Sequence, residues 1–228
     1  MKLVMIDLDD LAGTKTVISP ETAAVLNRLR RKGNLIYFMS CMPGFYLRKN
    51  FSHYFNGMTA CSGRLAFTCC EMLVNRPLEE SFVRQMIRLK EQSDAGIALC
   101  DMRYVYYEGP EDGFAAFTAE LTDRYVRYGI PEEGTFYGCA FYGKMPASVS
   151  VRRRGEFAWV LPDEEDHHSA ARQTAEKLSL GIQDVVYIHG GSEDDPLAEK
   201  AGASLKMIRR EDGSFQLPLQ EMEKTGLI

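Results

Sequence analysis

Three carboxylates follow a short apolar segment near the start of this 228-residue chain. The segment runs from Leu3 to Ile6, and Asp7, Asp9 and Asp10 come directly after it. A short run of branched apolar residues is typical of a buried strand, so the acids are predicted to lie at its carboxyl end, where open α/β sheets bind ligands. The alternation Asp7-Leu8-Asp9 predicts that both acids point the same way and share one site, with Leu8 turned into the protein.

Two carboxylates at this spacing repel each other unless a cation or a shared proton lies between them. The pair therefore indicates a metal site or acid–base chemistry, because two close acids without a function would only be destabilising. The alternative is a solvated acidic turn that follows a strand. The order of the later segments distinguishes the two interpretations.

The composition is that of a soluble globular protein, with 45% hydrophobic and 26% charged residues, and it excludes a disordered or fibrous chain. A formal net charge of −5 predicts no nucleic-acid partner and no binding to an anionic membrane. The chain has one tight basic run, Arg152-Arg153-Arg154. We interpret this run as a solvated turn between two strands in preference to a phosphate-binding patch.

No apolar stretch approaches the ~20 residues that span a bilayer, and the first apolar run is too short for a signal peptide, so we expect a cytoplasmic protein. The six cysteines contain no Cys-x-x-Cys, which predicts reduced and mostly buried thiols, with neither a zinc site nor a disulfide framework. They are Cys41, Cys61, Cys69, Cys70, Cys100 and Cys139.

Strands and helices alternate in the first part of the chain. Ser19 and Pro20 are typical of a helix start, and Gly33 is placed to end that helix. The residues Leu35 to Met39 then form a second predicted buried strand, which ends at Ser40. A strand, a helix and a second strand in this order indicate a right-handed crossover between parallel strands.

The pattern changes after residue 78 to amphipathic helices, one of them predicted through Tyr125, mixed with antiparallel strands. The α/β alternation returns with a strand from Asp184 to Ile188 and an acidic turn from Gly190 to Asp195. We therefore predict an α/β protein with a Rossmann-type core of mostly parallel strands, formed by residues 1–78 and 160–228. Residues 79–159 are predicted to form an inserted α+β cap domain.

This layout resembles the haloacid dehalogenase (HAD) superfamily, specifically the Cof-type phosphatases, over nearly the whole chain. The segment from Ile6 to Asp9 is similar to their first motif, Ser40 stands in their second motif, and Gly190 to Asp195 is similar to their last. Ser62-Gly63 resembles their Asn-Gly, and Arg76-Pro77-Leu78 resembles their entry to the cap. The order and spacing of these motifs carry the resemblance.

The resemblance implies phosphoryl transfer from a small phosphorylated metabolite through an aspartyl-phosphate, with Asp7 as nucleophile and Asp9 as acid/base. It implies that Ser40 and His168 bind the phosphate. It also implies a Mg²⁺ ion held by Asp7, Asp9, Asp194 and Asp195. Protein partners are unknown from the sequence.

The chain departs from the family pattern at four places. Asp10-Leu11 replaces Gly-Thr, Cys41-Met42 replaces the Gly-Arg of the second motif, Gly191 replaces a metal-binding Asp, and the expected Lys falls at His168 or Ser169. Losing preorganised charge of this kind commonly costs about 10²–10³ in rate per group. Two hypotheses follow: a magnesium-dependent phosphatase with weakened activity, or a pseudophosphatase, a pseudoenzyme that acts as a metabolite-binding or regulatory protein.

Overall fold

The structure is a computed structural model that describes residues 1–13, 15–143, 149–161, 166–191 and 196–228. The helices in the described residues are α1 (Leu8–Ala12), α2 (Pro20–Arg31), α3 (Gly44–Phe51), α4 (Glu80–Glu91), α5 (Glu111–Leu121), α6 (Asp166–Lys177), α7 (Pro196–Lys200) and α8 (Leu219–Lys224). The strands in the amino-terminal half are β1 (Leu3–Asp7), β2 (Leu35–Met39), β3 (Gly57–Ala60), β4 (Leu65–Thr68), β5 (Met72–Asn75), β6 (Gly96–Cys100) and β7 (Val105–Glu108). The remaining strands are β8 (Val126–Tyr128), β9 (Gly138–Tyr142), β10 (Val151–Arg154), β11 (Phe157–Val160), β12 (Val185–His189), β13 (Ala203–Lys206), β14 (Ile208–Arg209) and β15 (Phe215–Gln216).

A seven-stranded sheet holds the first acids, with the strand order β13-β12-β1-β2-β3-β4-β5. Its first five strands are parallel, and β4 and β5 continue it antiparallel. The central strand β1 is buried along its whole length, as expected for a parallel strand covered on both faces. The sheet therefore joins strands from both ends of the chain and is the predicted Rossmann-like, mostly parallel sheet.

A six-stranded sheet with the order β10-β11-β9-β6-β7-β8 contains the strands between residues 96 and 160. All of its pairings are antiparallel except the one between β7 and β8. Helices α4 and α5 occur among these strands, which gives the predicted α+β composition. The domain boundaries at residues 78 and 160 remain a prediction.

The two sheets share one hydrophobic cluster. Tyr46 and Leu47 of α3 belong to the same buried cluster as Phe117 of α5 and Trp159 of β11. The rings of Phe45 and Tyr125 stack with centroids 4.6 Å apart, which adds a second apolar contact between the sheets' flanking segments. The two sheets and their flanking helices are therefore packed against each other in this structure.

Two local predictions are wrong. Strand β1 ends at Asp7 and helix α1 follows, so the alternation of a strand does not position Asp9. The helix starts here because the Asp7 carboxylate accepts the N–H of Asp10, which caps the helix and overrides the short apolar pattern. The helix predicted through Tyr125 ends earlier, at Leu121, where Thr122 takes a φ of 76°.

Four of the six cysteines are buried, as predicted, whereas Cys69 and Cys70 are exposed in the turn between β4 and β5. Among the described helices, none combines the length and the apolar character needed to cross a membrane.

Candidate active site

Asp7 and Asp9 reach the site from two different elements. Asp7 is the last residue of β1, and Asp9 lies in the first turn of α1. Leu8 between them is fully buried, as predicted. Both carboxylates are almost inaccessible, with side chains 2% and 5% exposed. Their burial makes every charged neighbour important, because an unpaired buried carboxylate is costly.

Ser40 joins Asp9 at the carboxyl ends of the neighbouring parallel strands β1 and β2. Its hydroxyl donates a hydrogen bond of 2.5 Å to Asp9 Oδ1, and the N–H of Cys41 donates one of 2.8 Å to Asp9 Oδ2. The Ser40 Oγ in turn accepts the N–H of Met42. The Ser40 hydroxyl, which was predicted to bind phosphate, is thus already hydrogen-bonded to Asp9.

Arg152 of β10 lies among the three acids. Its Nη2 is 2.6 Å from Asp7 Oδ2 and 3.1 Å from Asp10 Oδ1, and its Nε is 3.9 Å from Asp9 Oδ2. The prediction of a solvated turn is wrong here, because Arg152 belongs to a strand and its side chain is only 22% exposed.

Arg154 enters the site from the same face of β10. Its Nη1 is 2.8 Å from Asp9 Oδ1, its Nε is 3.0 Å from Glu120 Oε1, and its Nη2 donates to the Tyr46 hydroxyl at 2.8 Å. The side chain is 2% exposed, so these partners replace its water. Arg153, between the two arginines, is exposed.

The two acids have opposite pKa shifts. Burial, together with the nearby charges of Asp10 and Asp9, raises the pKa of Asp7 to about 7 against the opposing effect of Arg152. Burial also acts to raise the pKa of Asp9, but the combined effect of Arg152, Arg154, the Ser40 hydroxyl and the Cys41 N–H lowers it. At neutral pH, Asp9 is therefore ionised and Asp7 is partly protonated.

The described residues do not fit a divalent metal ion. Both oxygens of Asp7 already have partners: Oδ1 accepts the Asp10 N–H, and Oδ2 accepts the Tyr187 hydroxyl and forms an ion pair with Arg152. Both oxygens of Asp9 are likewise occupied. Within the residues that the structure describes, no cluster of three acidic, histidine or cysteine side chains is arranged to hold a metal. Mg²⁺ requires several oxygen ligands in near-octahedral geometry.

Gly191 lies beside Asp10, at the end of the turn after β12. The N–H of Gly190 donates to Asp10 Oδ2 at 2.9 Å, and a Cβ atom placed on Gly191 would be 3.8 Å from the same oxygen. Gly190 and Gly191 thus lie beside Asp10, in agreement with the predicted position of Gly191 near the acids. Asp194 and Asp195, the other predicted metal ligands, lie outside the described residues.

His168 lies in α6 with its side chain half-buried. Its neighbour Ser169 accepts a hydrogen bond of 3.0 Å from Arg76 Nη1. The role of His168 in phosphate binding remains a prediction.

The sequence interpretation missed the two arginines, Glu120 and Tyr46. The alternation Arg152-Arg153-Arg154 contains the signal, because residues i and i+2 of a strand share one face. Nothing in the spacing connects Glu120 or Tyr46 to Asp9, since these residues are 111 and 37 positions away and meet it only through Arg154.

No protein-family model matches the chain, and no curated protein matches it by sequence. Solved structures do match. A HAD subclass IIB sugar phosphatase superposes with a TM-score of 0.80 at 15% identity, and the match covers 100% of both chains. A HAD-superfamily phosphatase from Bacteroides thetaiotaomicron gives 0.76 at 14% identity, with 100% of this chain and 96% of the other covered. A haloacid dehalogenase-like hydrolase from B. subtilis gives 0.73 at 12% identity, with coverages of 90% and 88%. The resemblance seen in the sequence is confirmed at the level of the fold, and the chain has the fold of the HAD phosphatases.

Proposed function

We propose that this protein is a pseudophosphatase: it keeps the HAD phosphatase fold but acts as a metabolite-binding or regulatory protein instead of turning over a phosphate ester. The observation that carries the proposal is the contact of 2.6 Å between Arg152 Nη2 and Asp7 Oδ2. An aspartyl-phosphate forms only if the carboxylate oxygen is free to attack phosphorus. The side chain that would be the nucleophile is instead one partner of a buried ion pair.

The protonation states of the two acids support the same proposal. A nucleophilic carboxylate must be ionised, and a general acid must hold a proton that it can give to the leaving group. Burial raises the pKa of Asp7 to about 7, so a substantial fraction of the carboxyl groups is protonated at neutral pH. The pKa of Asp9 is lowered, so Asp9 holds no proton to donate. Both shifts oppose the chemistry that the resemblance implies.

We propose a small phosphorylated metabolite as the ligand. The similarity in fold to a sugar phosphatase supports this class of compound. A phosphate dianion that entered the site would compete with Asp7 and Asp9 for Arg152 and Arg154. Because this competition opposes binding, we expect a modest affinity that is measurable without turnover.

A slow, magnesium-dependent phosphatase is the second candidate. The convergence of Asp7, Asp9 and Ser40 at neighbouring strand ends favours it, because these three positions match the catalytic motifs in the resemblance. In that case the cap would have to move away and free the acids before each turnover.

A phosphatase screen tests the proposal. Purified protein is incubated with a panel of sugar phosphates and a generic aryl phosphate, with Mg²⁺, with Mn²⁺ and without added metal. We expect the release of phosphate by the wild type to equal that of Asp7→Asn under every condition. Magnesium-dependent turnover that is abolished in Asp7→Asn would refute the pseudophosphatase and favour the second candidate.

The same panel tests ligand binding. Isothermal titration of the wild type with each compound should identify a phosphorylated ligand that is recovered unchanged. The matched control is Arg153→Met, which removes an exposed charge from β10 and leaves both buried arginines in place. Arg154→Met should reduce the affinity, whereas Arg153→Met should not. Equal affinity in both variants would place the ligand elsewhere.

A further inference from the structure

Arg152 occupies the position in which three carboxylates meet. Asp7, Asp9 and Asp10 approach its guanidinium from the core sheet and helix α1 at distances between 2.6 and 3.9 Å. Divalent-metal sites likewise place a cation among several acids, although these three acids are not arranged to hold a metal ion in the described part of the structure. The difference is that this cation is attached to the cap strand β10.

We propose that the Arg152 guanidinium is the resident cation of this site, which it occupies in place of a divalent metal ion. The inference rests on the proposed function, because it explains how the acids remain together without catalysis. The guanidinium is always positively charged and lies within ion-pair distance of all three carboxylates, so it offsets their mutual repulsion. The protein should therefore bind no Mg²⁺ here until Arg152 is removed.

The surroundings of Arg152 make its displacement by a metal unfavourable. The hairpin of β10 and β11 fixes its backbone, with Arg152 paired to Trp159 in the ladder. A metal ion that bound the three carboxylates would leave the mostly buried Arg152 guanidinium without its partners. The loss of charged partners from a buried ion pair is strongly destabilising. A Mg²⁺ ion bound by two or three carboxylates would have to overcome this cost.

The cluster also shows why a metal site should appear when the arginine is removed. Without Arg152, the acids Asp7 and Asp10 lose the guanidinium contact, while Asp9 keeps Arg154. Adjacent buried carboxylates then repel each other, and a divalent cation relieves the repulsion. The removal of one positive side chain should thus convert an ion-pair cluster into a metal-binding cluster.

Metal binding in the absence of any substrate tests this inference. The wild type, Arg152→Met and Arg153→Met are compared by Mn²⁺ titration followed by electron paramagnetic resonance, and by thermal melts with and without Mg²⁺. Arg152→Met should melt lower than the wild type without metal. It should then gain about 5–10 °C at a hundredfold excess of Mg²⁺ over the dissociation constant. The wild type and Arg153→Met should show no saturable Mn²⁺ binding and no such gain.

Saturable metal binding by the wild type, with a gain in melting temperature that matches Arg152→Met, would overturn the inference. A folded Arg152→Met protein that bound no metal would also overturn it. If Arg152→Met does not fold, the double variant Arg152→Met/Asp10→Asn, which has one fewer unpaired acid, replaces it. The double variant should bind Mn²⁺ where the wild type does not, and the absence of binding would refute the inference.

The outcome is separable from the proposed function. A wild type that bound Mg²⁺ without turnover would refute the resident arginine and leave the pseudophosphatase in place. A wild type that hydrolysed phosphate esters without metal would refute the pseudophosphatase and leave the resident arginine in place.

Discussion

Asp7 and Asp9 are two residues apart and similarly buried, yet their pKa values shift in opposite directions. Asp9 accepts hydrogen bonds from Ser40 and the Cys41 N–H and also contacts Arg154. Asp7 and Asp10 both contact the Arg152 guanidinium, so the repulsion from Asp10 offsets part of the attraction that Arg152 exerts on Asp7. For Asp7, burial therefore outweighs the attraction of Arg152, whereas for Asp9 the donors outweigh burial.

The first prediction concerns the pH dependence of stability. The folded-state pKa of Asp7, about 7, is above its ordinary value of 3.8, so Asp7 contributes stability that is lost as the pH rises toward and through 7. We expect the free energy of unfolding attributable to Asp7 to fall by about 2–3 kcal/mol between pH 5 and pH 8. Urea unfolding at four pH values in this range measures it.

Asp7→Asn should remove this slope, because an amide does not titrate in this range. Asp10→Asn, which removes a different carboxylate from the same arginine, should retain a slope of the same sign. Equal slopes in the wild type and Asp7→Asn would show that Asp7 does not have a raised pKa.

The second prediction concerns Arg154, which holds Asp9, Glu120 and Tyr46 together. Arg154→Met should lower the free energy of unfolding by about 3–5 kcal/mol, because it leaves two buried carboxylates without their partner. Arg153→Met, a change of the same kind at an exposed position of the strand, should change it by less than about 0.5 kcal/mol. Urea unfolding at pH 7 compares them, and similar losses in both variants would contradict the assigned contacts.

At the scale of elements, strand β10 determines which arginines enter the site. The ladder pairs Arg154 with Phe157, so Gly155 and Glu156 form a two-residue turn, and Gly155 has a φ of +57°. Glycine adopts this backbone conformation without strain, and turns of this length set the register of a hairpin. A shift by one residue would place Arg153 on the inner face.

The third prediction follows from this turn. Gly155→Ala should lower the free energy of unfolding by about 1 kcal/mol, because an L-residue with a side chain is strained at this φ. Glu156→Ala, at the other turn position, should be nearly neutral. Chemical denaturation of both variants checks the difference, and an unchanged stability in Gly155→Ala would argue against this turn.

Local signals in the sequence predicted several elements correctly. Helix α2 begins with the predicted Ser19 cap, whose side chain accepts the N–H of Thr22, and β2 has the predicted limits of Leu35 and Met39. These elements depend on neighbouring residues in the chain. The placement of Asp7 and Ser40 at neighbouring strand ends follows from the parallel pairing of two such strands, in which Asp7 lies beside Met39.

The site arginines could not be assigned in the same way. Arg152 contacts Asp7 across 145 residues of sequence, and a charged run on a strand is usually solvated. Its burial depends on the docking of the cap on the core, which is a tertiary effect. The short helix α1 was missed for a different reason: it has five residues, fewer than the two turns that a helical pattern needs.

At the scale of the whole molecule, the six-stranded and seven-stranded sheets and their helices are held together by apolar as well as ionic contacts. Phe45 stacks on Tyr125, and the cluster that contains Tyr46 also contains Trp159. Separation of the six-stranded sheet from the seven-stranded sheet would expose this apolar surface. It would also remove Arg152 and Arg154 from their acids. We therefore infer that the arrangement in which the two sheets pack against each other is the stable state of the protein.

The fourth prediction is that the cap and the core unfold together. Trp159 is the single tryptophan of the chain and is buried in the six-stranded sheet, so its fluorescence reports on the cap. Denaturation curves from tryptophan fluorescence and far-ultraviolet circular dichroism should coincide, as expected for a cooperative transition. A fluorescence transition at clearly lower denaturant would show that the cap unfolds or detaches independently.

The most direct test of the central claim is oxygen exchange between inorganic phosphate and water labelled with heavy oxygen. This measurement needs no knowledge of the substrate, because any enzyme that forms an aspartyl-phosphate reversibly from phosphate incorporates solvent oxygen into it. With Asp7 held by Arg152, we predict that exchange with Mg²⁺ present equals that of Asp7→Asn. Exchange that clearly exceeds the Asp7→Asn control would contradict the account, because it would mean that Asp7 is free to attack phosphorus.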